Sequence, residues 1–182
     1  METETKTPRA ELQSANRREL KGLWRVVFIS FSSSGIVLAI IQLFFLLNRF
    51  GFSLYELSYY YAIYAAFLSP VFLLIPPSRK CRRDVVPWYD VLLFLLTFAI
   101  CVYYSINGLE MFIDGWMFSI PTIPTTLGLF LCLMVLEACR RAGGFILSGL
   151  VLFFLFFPMF ASHIPLPFTG FPFSFWQTIG IQ

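Results

Sequence analysis

The sequence carries little that could do covalent chemistry: one histidine, His163, and four cysteines at Cys81, Cys101, Cys132 and Cys139. A hydrolase needs a nucleophile with an adjacent base, or a metal set that activates water, because neither a hydroxyl nor water reacts readily near neutral pH unaided. His163 lies beyond Pro158 with no carboxylate near it in sequence, so it reads as an interfacial histidine. The cysteines show neither CxxC nor paired spacing and read as packing residues or free thiols. No GxSxG elbow, phosphate-cradling glycine loop or HExxH is present. No catalytic residue, metal site or cofactor is expected.

The charged residues next to apolar runs are more informative, because an ionisable group at membrane depth is costly and marks a functional position by default. Only Asp90 and Glu137 approach such runs, both toward the same end. Glu137 precedes Arg140 and Arg141 by three and four residues, the spacing of helical side-chain pairs. It is expected to pair within its helix, and contact with a partner subunit is the sharper possibility. Arg79, Lys80, Arg82 and Arg83 form a compact cationic cluster that either anchors topology or meets anionic lipid head groups.

What must position these groups is a membrane bundle. The chain is 58% hydrophobic, 19% aromatic and 13% charged, with a mean hydropathy of +0.78, against about 25% charged residues in a soluble domain. The cations fall between apolar runs rather than along one face, so nucleic acid is a poor partner. The N-terminus is not a signal peptide, since a polar, mixed-charge stretch precedes a run too long for an h-region.

An all-α, polytopic membrane helical bundle of about five transmembrane helices is therefore expected, with a cytoplasmic basic tail over 1–25, a helical domain over 26–161, and an external aromatic, proline-rich tail over 162–182. The spans are placed near 26–47, 55–75, 90–106, 124–139 and 143–161. Residues 11–21 offer a short surface helix or a solvated tail. In the first span Gly35 and Ala39, and Ser30 and Ser34, lie four apart; in the second Ser58, Ala62 and Ala66 do the same. Such stripes let helices approach closely. Pro76 and Pro77 end the second span, and Trp88 and Tyr89 mark the return into lipid.

Lysine and arginine in successive connections number six, one, four, none, two and none. By the positive-inside rule the N-terminus, the 79–83 cluster and the Arg140–Arg141 turn are cytoplasmic. The acidic segment holding Glu110 and Asp114, and the C-terminal tail, are then external.

Three segments, Val86-Pro-Trp-Tyr-Asp90, Thr125-Thr-Leu-Gly128 and Val135-Leu-Glu-Ala-Cys-Arg-Arg141, resemble the N-terminal membrane region of fused permeases of tripartite ATP-independent periplasmic (TRAP) transporters, in the branch served by TAXI-type binding proteins. The resemblance is best from Val85 to Phe160, and Cys139 stands where that family has a small polar residue. It implies a bacterial inner-membrane symport system. A periplasmic solute-binding protein delivers an organic solute to a large multi-span permease subunit, and an ion gradient drives uptake. This chain resembles the small, scaffold-like part of such a permease. A fused relative would continue beyond Gln182, so the large part is expected either on a separate chain or lost by truncation.

The expected function is thus a small scaffold-like membrane component of a TRAP-type transporter, with that permease subunit, the binding protein and membrane lipids as partners. The competing expectations are a stand-alone assembly or interaction protein, a truncated permease fragment without transport activity, and a membrane enzyme acting on lipid head groups through Glu137, Arg140 and Arg141. The lack of a nucleophile and base weighs against the last.

Overall fold

The structure, a computed structural model, describes residues 17–44, 56–77, 85–116 and 121–160. Within them the elements are all helical: α1 Leu23–Leu43, α2 Glu56–Leu68, α3 Val71–Leu74, α4 Trp88–Ile106, α5 Gly108–Ile113 and α6 Thr122–Phe160. Three of these, α1, α4 and α6, are long and apolar enough to cross a membrane. Their outer faces carry large side chains such as Leu43, Leu95, Ile106 and Phe153 exposed, and Ile146 reaches 89%. Apolar surface on this scale suits lipid rather than water. The protein is an all-helical bundle with the character of a membrane protein.

α6 has 39 residues, which as one straight helix would run about 58 Å, well beyond a hydrocarbon core of about 30 Å. It breaks at Gly144, where φ is 77° and ψ −170°, a conformation that only glycine adopts without strain. Beyond the break the Ser148 hydroxyl donates to the Leu136 carbonyl at 3.2 Å. Twelve residues of straight helix would separate such groups by about 18 Å. The chain therefore turns back on itself, and residues 122–143 and 145–160 act as two helices.

The stretch expected as one second span is two pieces. Pro70 supplies no amide hydrogen and cannot continue α2, so Ser69 and Pro70 form a turn and α3 restarts at Val71. α3 runs only four residues before Ile75 turns extended ahead of Pro76 and Pro77.

Lipid gives apolar surfaces no hydrophobic reason to leave it, so helices associate through close packing and polar contacts. α1 and α2 meet where Gly35 faces Ala66 and Phe67: a Cβ at Gly35 would lie 2.9 Å from both side chains. Phe31 of α1 packs edge-on against Phe94 and Phe98 of α4, with centroids 5.1 and 5.3 Å apart. Tyr61 of α2 stacks on Tyr104 of α4 at 4.7 Å. α4 is the central helix, burying Asp90, Phe94, Thr97, Cys101 and Tyr104 along one helical stripe.

One end of the bundle is pinned by neutral hydrogen bonds. The Tyr104 hydroxyl donates to the Pro124 carbonyl at 2.6 Å, and Ser105 donates to the Ser58 carbonyl at 2.7 Å. Gly108 opens α5 hard against Ser58, where no side chain would fit. The opposite end is held by charge.

Candidate functional site

Four segments converge at that charged end: residues 17–21 ahead of α1, the C-terminus of α3, the first turn of α4, and α6 just before its break. The centre is Asp90, which lies in the first turn of α4 and is fully buried. A carboxylate there faces the positive end of the helix dipole. That partial charge is too small to carry a buried anion, and the chain supplies two guanidinium groups in addition.

Arg18 Nη2 stands 2.6 Å from Asp90 Oδ2, and Arg141 Nη1 stands 2.7 Å from Asp90 Oδ1. All three side chains are 2% exposed or less. Arg141 Nε donates to Glu137 Oε1 at 2.8 Å. Arg140 donates through Nε and Nη2 to the two oxygens of Glu137, each at 2.7 Å. Glu137 thus holds the helical pairs its spacing suggests. Arg141 extends that local pairing to a carboxylate 51 positions away in sequence.

The break at Pro70 completes the site. A helix end leaves its last carbonyls without amide partners, and the end of α3 turns its own toward the two arginines. Arg18 Nη1 reaches the Phe72 and Leu73 carbonyls at 3.4 Å each, while the Arg18 amide donates to the Leu74 carbonyl at 2.9 Å. Arg141 Nη1 reaches the Ile75 carbonyl at 3.3 Å, and its guanidinium carbon lies 5.2 Å from the centre of the buried Phe72 ring. Arg140 Nη1 lies 3.5 Å from the Pro77 carbonyl. Cations at a helix C-terminus are favoured by the dipole, so both arginines cap α3 and neutralise Asp90 together.

The role of Arg18 goes beyond what the sequence alone suggests. Of the stretch 11–21, residues 11–16 lie outside the described residues and 17–21 are not helical: Arg17 and Lys21 are outward, but Arg18 turns in and is buried. The only signal available was the cost of burying Asp90, which demanded a cation from elsewhere in the chain. Of the other residues singled out, Arg79, Lys80, Arg82 and Arg83, His163 and the C-terminal tail lie outside the described residues. Among the described residues no group of three His, Cys, Asp or Glu side chains could hold a metal ion.

Chemically this arrangement is an ionic lock. The carboxylates are engaged by guanidinium groups, and each guanidinium joins a carboxylate to a helix end or to its own helix. Comparison with protein-family models, with curated proteins and with solved structures finds no match for this chain.

Proposed function

We propose that this chain is a scaffold component of a TRAP-type secondary transporter in a bacterial inner membrane, crossing the bilayer five times with its N-terminus and ion cluster on the cytoplasmic side. Its partners in this reading are a large multi-span permease subunit, which carries solute and coupling ion, and a periplasmic binding protein that delivers an organic solute.

One observation carries the reading. The segments that resemble the family, Val86 to Asp90 and Val135 to Arg141, are far apart in sequence, yet Asp90 of the first is salt-bridged to Arg141 of the second, and Glu137 holds the same arginine. This contact between two of the three resembling segments supports reading them as parts of one unit. A lock that fixes four segments also suits a scaffold, since its charges are committed to holding backbone in place.

The test is to express the chain with a many-span permease of this family from the same cell and to purify through a tag on this chain. Co-elution of the permease, together with loss of organic-acid uptake when the gene is deleted, is the expected result. A chain that purifies alone, from cells whose uptake is unaffected by its deletion, is a stand-alone membrane protein and overturns the proposal.

A further inference from the structure

Beside the lock, between residues 18–21 and the first turns of α1, the surface forms a groove of about 520 Å³. One part of its wall is cationic, with Lys21 and Arg25 exposed at the rim, Arg18 beneath and Glu19 the sole carboxylate. The rest is apolar, formed by Phe28 and Ile29 on the next turn of α1 and by Leu74 at the end of α3.

The backbone leaves room for a ligand at the junction. Gly22 precedes α1 at φ 58° with no side chain capping the helix, and a Cβ placed there would meet nothing within 4 Å. An uncapped helix start presents amide hydrogens that favour an anion. The floor of the groove is cationic as well. Arg18 is 4% exposed, and its Nε is buried without a hydrogen-bond partner among the described residues, although its other two nitrogens are engaged.

We propose that this groove binds one anionic phospholipid. The phosphate sits against Lys21, Arg25 and the start of α1, and an acyl chain runs down the membrane-facing wall of Phe28 and Ile29. The charge excess selects an anionic head group. The apolar wall, continuous with the exposed flank of α1 at Ile29 and Ile36, selects a lipid over a soluble phosphate compound. The site does not depend on the chain serving a transporter.

Native mass spectrometry of the full chain, given equimolar phosphatidylglycerol and phosphatidylcholine, tests this. One phosphatidylglycerol should be retained in preference. The double variant K21Q/R25Q should lower that preference about 30-fold, which at 1.4 kcal/mol per tenfold is about 2 kcal/mol for two cations. The variant R49Q, which removes a cation that follows the other end of α1 in sequence, should keep it. The proposal is overturned if the wild type shows no preference, or if R49Q falls as far as K21Q/R25Q. It is also overturned if glycerol 3-phosphate, a probe without acyl chains, displaces the lipid at equal concentration, because the groove then takes a soluble phosphate.

Discussion

Arg141 and Asp90 form a salt bridge at 2.7 Å with neither side chain more than 2% exposed, joining the middle of α6 to the first turn of α4. A buried pair is weak support for stability as such, because desolvation offsets most of the attraction, but removing one member leaves an uncompensated charge and is costly.

Asp90 and Arg18 should consequently differ in sensitivity. Asp90→Asn leaves two buried guanidinium groups without an anion between them and should destabilise the fold by about 3 to 5 kcal/mol. Arg18→Gln leaves Asp90 still paired with Arg141 and should cost less, about 1 to 3 kcal/mol for the lost buried hydrogen bonds. Thermal unfolding of the detergent-solubilised protein reads both. Equal shifts, or a larger one for Arg18→Gln, would mean that Asp90 is not the hub.

Much of this bundle is legible from sequence because lipid imposes length and polarity on a helix directly. The apolar runs of α1 and α4 and the glycine pair at the α6 break are visible without a structure. The break between α2 and α3 is not, because Pro70 sits inside an apolar run whose hydropathy hides the turn. The lock is legible by half. Glu137, Arg140 and Arg141 share one helix and follow from spacing, whereas Arg18 meets Asp90 across 72 positions of chain, and no local pattern encodes such a contact. Only the cost of leaving Asp90 bare points to a partner, without saying which cation supplies it.

Gly35 and Ala66 should behave as a matched pair. A Cβ at Gly35 would lie 2.9 Å from the Ala66 Cβ and from the Phe67 ring, closer than van der Waals contact allows. Gly35→Ala should therefore push α1 from α2 and cost about 1 to 3 kcal/mol. Ala66→Gly in the same chain should restore part of that stability by opening the facing position. If the double variant melts no higher than Gly35→Ala alone, the close approach is not between these two residues.

Gly144 should set the direction of the last helix. Space is not the obstacle to a side chain there, since a Cβ would meet nothing within 4 Å, so any effect of Gly144→Ala reports the backbone alone. At φ 77° and ψ −170° alanine is strained by about 1 to 3 kcal/mol, and a continuous helix is the conformation that relieves it. Spin labels at 136 and 148, in a background without the four native cysteines, should lie close in the parent chain and move apart in Gly144→Ala. Unchanged distances would show that packing, not Gly144, makes the reversal.

The orientation of the bundle should follow its cations. The ion cluster gathers Arg18, Arg140 and Arg141 at one end, and the connection between Pro77 and Val85 adds four cations in sequence, Arg79, Lys80, Arg82 and Arg83. At the opposite end the connection between α4 and α6, with Glu110 and Asp114, has no lysine or arginine, and the connection after α1 has one, Arg49. The positive-inside rule predicts a cytoplasmic location for the first end. Because α6 turns back at Gly144, residues 145–160 run back toward the other end. A phosphatase reporter active only outside the cytoplasm should therefore be active when fused after Gln182 and silent when inserted after Arg82. Activity at both positions, or cytoplasmic location of the C-terminal fusion, would mean that residues 145–160 do not complete a fifth crossing, and the span count would fall to four.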